Sequence, residues 1–396
     1  MSHANPAAGR ELYRSLRMLV PILLLAACAR TSRGPFPPFT RIRIPDSTTL
    51  NDPARKLSDL ITPVRFIPLE RNEIANIGNI DKLLIIDGCF YVLDRSSANC
   101  IFRFGPDGRF LGTIGRRSAY KKPNDISYNA ADHEVNILDG GNRKLLRYSL
   151  SGVYEGDILL DFFSANYERY NEHAAFIGGR YEEDLVLTNN SGEKLSSFFP
   201  ANNLNTFRLL DPFTKVNDSV LYFREYLNDT VYRVSGDQVY PAYYIDYGNK
   251  RYIVQAADTQ RQAGPRVTTP PADRMAWINF FLESPGNVYF TFQYQGNTHY
   301  AVYRKADSSV VCFSKALRND LTFDKVPPLP IAAQRDTFYA VIQPYSLIKS
   351  LRDAWPARNK MDSGTANNFQ LISDLARNMT ELSNPLIMAF TFKNNH

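Results

Sequence analysis

The chain has 396 residues, 44% of them hydrophobic and 22% charged. That balance buries the core of one large domain or two ordinary ones and excludes a disordered or collagen-like chain. Phe (25) and Tyr (23) dominate an aromatic content of 13%, and such side chains favour half-buried pleated strands, so composition points to β structure. The formal charge of +6 invites a nucleic-acid reading, but seven arginines between Arg10 and Arg43 against Glu11 alone carry the whole excess. Residues 46–396 are formally neutral, whereas a duplex-binding domain keeps its excess on the folded surface, so that class is excluded.

Arg10, Arg14 and Arg17 precede the apolar run Met18 to Ala27, which ends at Cys28. Ten residues fall short of the roughly 20 that cross a bilayer but suit the apolar region of a secretory leader. Leu25-Ala-Ala-Cys28 resembles the lipobox of bacterial lipoproteins, in which the Cys thiol receives the diacylglyceryl group. The expectation is a signal peptide over 1–27, a lipidated Cys28 that ties the protein to a membrane, and a Pro- and Arg-rich flexible tether over 28–56. No acidic cluster follows Cys28 of the kind that directs such lipoproteins to the surface, which favours the outer membrane, facing the periplasm. Cys89, Cys100 and Cys312 remain. Cys89 and Cys100 lie on the arms of a hairpin turning near Ser96-Ser97, where Cys100 opposes Leu93 or Asp94 and Cys89 is out of disulfide reach. All three are expected as buried thiols.

Internal self-similarity is the strongest fold signal. Gly88-Cys-Phe-Tyr-Val-Leu-Asp94 followed by Asn99 to Gly108 matches His133-Glu-Val-Asn-Ile-Leu-Asp139 followed by Lys144 to Gly152, with the Leu-Asp pairs 45 and the turn glycines 44 residues apart. A period in the mid-forties built of short alternating strands is the mark of propeller blades, because one four-stranded sheet cannot bury both faces alone. Weaker copies follow at 180–199, 220–234 and 287–304, and Thr337 to Ile342 reads as the start of the last blade. Insertions are expected at 247–275 and 343–384. The second carries a helical period, Phe369, Ile372, Leu375, Ala376, Met379 and Leu382, stopped by Asn384-Pro385. Leu386 to Phe392 reads as a final strand that pairs near Val64 to Leu69 to close the ring.

Ser58-Asp-Leu-Ile, Val64-Arg-Phe-Ile-Pro-Leu-Glu70, the Gly78-Asn-Ile-Asp-Lys-Leu opening, the Phe-Gly-Pro-Asp-Gly108 turn and Asn384-Pro-Leu-Ile-Met together resemble the six-bladed β-propeller lipoproteins of Bacteroidetes, distant relatives of NHL-repeat propellers. The resemblance implies an all-β, six-bladed β-propeller over 57–396 with a C-terminal helical insertion before the closing strand, and a cell-envelope location. It implies no particular activity. Relatives carry a Gly-rich segment after the first blade where this chain has Gly115 to Asp125, so no role transfers to that loop.

In a propeller, the loops joining consecutive blades and those between second and third strands share one face around the channel. Here that face is expected to gather Arg95, Arg116, Arg117, Tyr120, Lys121, Lys122, Asp125, Arg143, Tyr167, Arg169, Tyr170, Arg224 and Tyr226, whose guanidinium forks and phenols suit an anionic or sugar-like ligand. Asp94 and Asp139 end equivalent strands and are expected to bond their own turns. His133, His173 and His299 have no zinc-site spacing, and no nucleophile elbow, P-loop or dinucleotide pattern appears. The reading is a lipid-anchored binding or interaction module that works through its channel-mouth loops, without a cofactor or metal. Its expected partners are a membrane through Cys28 and an envelope protein or a glycan or anionic ligand, and no nucleic acid. The alternative is a channel-centred lyase or hydrolase acting on glycans or peptides.

Overall fold

The computed structural model describes residues 38–45, 55–115, 119–178, 183–200, 211–225, 228–253 and 270–393. Two strands, β1 (Thr40–Arg43) and β2 (Ile61–Pro68), precede the first blade. Blade 1 contains β3 (Lys82–Ile86), β4 (Cys89–Asp94), β5 (Cys100–Phe104) and β6 (Phe110–Thr113); blade 2 contains β7 (Pro123–Asn129), β8 (Glu134–Asp139), β9 (Lys144–Ser149) and β10 (Tyr154–Leu159). Blade 3 follows with β11 (Ser164–Tyr170), β12 (His173–Gly178), β13 (Glu183–Asn189) and β14 (Lys194–Pro200), and blade 4 with β15 (Phe213–Asn217), β16 (Val220–Arg224), β17 (Thr230–Ser235) and β18 (Gln238–Asp246). Blade 5 comprises β19 (Met275–Glu283), β20 (Asn287–Tyr294), β21 (Asn297–Arg304) and β22 (Val310–Ser314). Blade 6 is β23 (Pro330–Gln334), β24 (Thr337–Ile342) and β25 (Leu386–Phe392), completed by β2. The last blade therefore opens at Pro330 and not at Thr337; its first strand is short and Ala-rich and carries no aromatic residue.

Two-residue periodicity explains the ring. Along β4, Phe90 and Val92 point into a core shared with Ile67, Ile387 and Ala389 of blade 6, while Tyr91 and Leu93 point into one shared with Ile126, Val135 and Ile137 of blade 2. Successive side chains leave opposite faces of a strand, so each blade feeds two cores. Among the described residues the buried apolar side chains form six clusters, one between each pair of neighbouring blades. A four-stranded sheet thus hides both faces only when the circle is complete.

Closure joins the two ends of the chain: β2 pairs antiparallel with β25, Ile61 opposite Phe392 and Pro68 opposite Leu386. Asn384, 1% exposed, locks this seam. Its amide donates to the Glu70 and Ala75 carbonyls at 2.7 and 2.9 Å and its oxygen accepts from Ile77 N–H at 2.9 Å. The segment expected as a tether contributes a fifth strand, β1, parallel to β18 on blade 4. Ile42 and Ile44 enter the core between blades 4 and 5, and Arg41 and Arg43 pair with Asp246 at 2.8 and 2.7 Å.

The 343–384 insertion holds α1 (Pro344–Ala354), a 3-10 segment (Trp355–Lys360) and α2 (Ser363–Ala376). Pro344 opens α1, where a missing N–H costs nothing, and Asp362 caps α2 by accepting from Thr365 N–H at 3.0 Å. Leu347, Leu351, Phe369 and Ile372 pack on Leu57, Leu60, Leu317 and Leu321 at the junction of blades 5 and 6. The helix starts six residues before Phe369 and ends at Ala376, where N–H groups of Arg377 and Met379 reach back three residues and tighten the chain. Met379 and Leu382 therefore lie beyond it. Cys89, Cys100 and Cys312 form no disulfide; Cys100 and Cys312 are buried as expected, whereas Cys89 is half-buried, and Cys100 lies opposite Asp94.

Asn384→Ala leaves the buried Ile77 N–H without its partner and takes a donor from the Glu70 and Ala75 carbonyls; an unsatisfied buried group costs about 1–3 kcal/mol. Urea unfolding should show a loss of about 2 kcal/mol; a loss under about 0.5 kcal/mol would mean that the seam is held elsewhere.

Candidate functional site in the channel and its rim

The innermost strands surround a cavity of about 330 Å³ lined chiefly by β3, β15 and β23, with Tyr128, Glu168 and Leu282. It is off-centre because β7 and β11 are drawn together. Tyr167 N–H donates to Asp125 Oδ2 at 2.9 Å and Arg169 N–H to Ser127 Oγ at 3.0 Å. Side chains of blade 2 thus take the hydrogen bonds of the free inner edge of blade 3, which would otherwise face the channel unpaired.

Lys82, the first residue of β3, places its Nζ 2.9 Å from Asp125 Oδ1 and 2.9 Å from Glu168 Oε2. Glu168 Oε1 accepts from the Ser127 hydroxyl, and Asp125 Oδ1 also accepts from Ile126 N–H at 2.8 Å. All three charges are nearly buried, with side-chain exposures of 10%, 3% and 4%. Burial works against the Lys82 charge, but Asp125 and Glu168 outweigh it and hold the ammonium above its ordinary value. Burial also pushes Asp125 up to about 6, opposed by Lys82 and reinforced by the charges of Asp211 and Glu168. At neutral pH Asp125 is ionised, and it shares the Lys82 ammonium with Glu168. Arg224 lies near this network and is lowered to about 10 by burial; it donates to the carbonyls of Asp211 and Ile278.

The residues expected at the mouth divide into two groups. Arg95, Lys121, Lys122 and Arg143 lie on loops at the end where the blades connect. Arg95 donates to Asn124 O at 3.0 Å, Arg143 lies over the Phe163 ring at 5.3 Å, and the Lys121 and Lys122 side chains are exposed. Tyr120, Tyr167, Arg169, Tyr170 and Arg224 are buried. The Tyr167 hydroxyl donates to Asn136 at 3.2 Å, that of Tyr170 to Gly236 O at 2.6 Å, and Arg169 to Asn190 at 2.7 Å. Asp125 belongs to the Lys82 cluster. Cys28, Arg116, Arg117 and Tyr226 fall outside the described residues.

Asp94 and Asp139 have a shared role larger than turn bonding. Asp94 accepts from Ser97 and Ala98 N–H in its own turn and from Gly78 and Asn79 N–H in the segment leading into the blade. Asp139 accepts likewise from Gly141, and from Lys121 and Lys122 N–H. Each carboxylate ties a blade's arrival to its second turn, and its lone pairs are taken. Among the described residues no group of three His, Cys, Asp or Glu is placed to hold a metal ion. The sequence does not single out Lys82, Ser127, Glu168 and Asp211; the one local signal is Lys82 at the start of the otherwise apolar β3.

A family model described as Domain of unknown function (DUF4934) matches residues 39–391. The chain belongs to that family. No curated protein matches it in sequence. A crystal structure from Bacteroides fragilis, of a protein described as exported, is similar with a TM-score of 0.72 at 13% identity, over 90% of this chain and 100% of that one. That likeness is one of fold. A duf4221 family member from Bacteroides vulgatus shares 8% identity over 86% of this chain and all of its own, with a TM-score of 0.46. Virginiamycin B lyase from Staphylococcus aureus shares 12% over 70% and 80% of the two chains, with a TM-score of 0.39. Neither likeness is strong enough to argue about chemistry.

Asp125 binds its proton more tightly folded, at about 6, than at its ordinary 3.8. Its contribution to stability is full below about pH 4 and is lost as pH rises through 6. Urea unfolding at steps from pH 4 to 7.5 should show this slope in the native chain and a flatter one in Asp125→Asn; parallel profiles would refute the assignment.

Proposed function

We propose that this protein is a binding module of the cell envelope, anchored through a lipid on Cys28 and engaging an anionic or glycan component, or a partner protein, with its loop face over blades 1 and 2. The observation that carries this reading is the saturation of the buried carboxylate pair Asp125 and Glu168. Asp125 and Glu168 are the pair nearest to an acid and base, but they share the Lys82 ammonium and take further hydrogen bonds from Tyr167 N–H, Ile126 N–H and the Ser127 hydroxyl. A general base needs an oxygen free to take a proton from substrate. Freeing one here strands a buried charge, which costs about 3–5 kcal/mol. This arrangement supports binding over a channel-centred lyase or hydrolase.

Cations remain available on the loop face. Lys121, Lys122 and Arg143 are exposed on loops that Asp139 fixes from below, so their charges are presented by a rigid support. Arg116 and Arg117 adjoin them in sequence. An anionic ligand on such a face gains affinity and on-rate that fall with salt.

The test uses the full-length mature protein with polygalacturonate oligomers as the anionic glycan. Binding that weakens with salt is expected, together with an at least fivefold loss when Arg116, Arg117, Lys121, Lys122 and Arg143 become Ala, with Tm unchanged. Equal binding by that variant overturns the face, and shortened oligomers in the mass spectrum overturn the non-catalytic reading. In cells, Cys28→Ala should abolish incorporation of labelled palmitate; retained label would remove the anchor.

A further inference from the structure

A second feature lies on the flank of blades 1 and 2, outside the channel, and reaches the rim at Asp139 and Asn142. A groove of about 890 Å³ runs between the outer strands of these blades, lined among others by Thr113, Gly115, Asn142, Lys144, Tyr154 and Asp157. In β10 the register against β9 shifts between Tyr154 and Gly156, where glycine takes a φ of +140°. Residues three apart on a regular strand face opposite ways, and one extra residue brings them to the same side. The bulge thus sets Tyr154 beside Asp157, and the phenol donates to Asp157 Oδ2 at 2.8 Å. Lys144 donates to the same oxygen at 2.9 Å, so Oδ1 has no hydrogen-bond partner among the described residues.

The ring of Tyr154 is held at both ends. Its hydroxyl is tied to Asp157, the ring packs on buried Tyr148 with centroids 5.5 Å apart at 64°, and it remains 52% exposed. Blade 1 supplies an internal comparison. Its β6 carries the same glycine bulge at Gly112 with a φ of +139°, but Phe110 stands where Tyr154 does and packs inward on Phe102 and Phe104, while Thr113 replaces Asp157. The bulge belongs to the fold. The exposed, immobilised phenol with its carboxylate and ammonium does not.

We propose that this groove binds a neutral sugar ring of an oligosaccharide, stacked by its C–H face on Tyr154 and hydrogen-bonded through hydroxyls to Asp157 Oδ1 and the remaining Lys144 N–H groups. A fixed aromatic plate loses little entropy on binding. A carboxylate beside an ammonium offers acceptor and donor together, matching the dual character of a sugar hydroxyl. Asp139 and Asp157 both line the groove and disfavour an acidic sugar, which separates this ligand from the anionic one assigned to the loop face.

The test is calorimetric titration of the full-length mature protein with cellotetraose, xylotetraose, mannotetraose and chitotetraose. At least one is expected to bind. Tyr154→Ala should weaken it tenfold or more, and the isosteric Asp157→Asn about fivefold, while Tyr154→Phe, which keeps the ring, stays within about threefold of the native chain. The variant lacking the five basic loop residues should bind the neutral sugar unchanged, so the two sites fail separately. Absence of binding by all four sugars, or native affinity in both Tyr154→Ala and Asp157→Asn, overturns the proposal.

Discussion

One ammonium group holds three blades in register. Lys82 starts the inner strand of blade 1, Asp125 lies in that of blade 2 and Glu168 in that of blade 3, and both carboxylates lie 2.9 Å from the same Nζ. Placing three charges out of water is costly, and their attraction offsets that only when geometry is good and the remaining lone pairs are satisfied. Ser127, Ile126 N–H and Tyr167 N–H meet that condition. The cluster then does what an apolar contact at this place cannot: it fixes direction. The channel is narrowed on one side, the cavity is pushed toward blades 1, 4 and 6, and the groups most like an acid and base lose their freedom to act as such.

The outer parts of the molecule follow a different logic. Six inter-blade cores make the ring, and the ring is closed by a strand taken from before the first blade. Asn384 fastens that strand by meeting three backbone groups that the seam leaves open. β1 is held mainly by its ladder to β18 and by Ile42 and Ile44. Arg41 and Arg43 are largely exposed, and pairs of that kind contribute less than about 1 kcal/mol each. Their clearer effect is on Asp246, which burial pushes up but which Arg43, Gly248 N–H and Arg41 together hold down at about 2.

The architecture was legible wherever a local pattern repeats. The two Leu-Asp strands 45 residues apart, the Gly turns and the Asn384 segment were visible because strand alternation and turn chemistry act over a few residues. Arg41-Ile-Arg-Ile44 carried the same alternation, but the Pro- and Arg-rich surroundings concealed it. The Lys82 cluster was not legible, since its members are separated by up to 86 residues and their meeting depends on which strands are innermost. The same gap placed Tyr167, Arg169 and Tyr170 on a loop. They belong to β11, whose sequence Ser-Ala-Asn-Tyr-Glu-Arg-Tyr looks polar because a strand at the axis satisfies its polar groups on neighbouring blades.

The most direct test of the account is a double-mutant cycle on Lys82→Met and Glu168→Gln, read by urea unfolding at pH 7. If the ammonium and the carboxylate exist chiefly to neutralise each other, each single change strands a buried charge, and the double variant should be less destabilised than the sum of the two, with a coupling of about 1 kcal/mol or more. Additive losses would show that the two groups are independent, and the claim that this cluster organises the channel would fall.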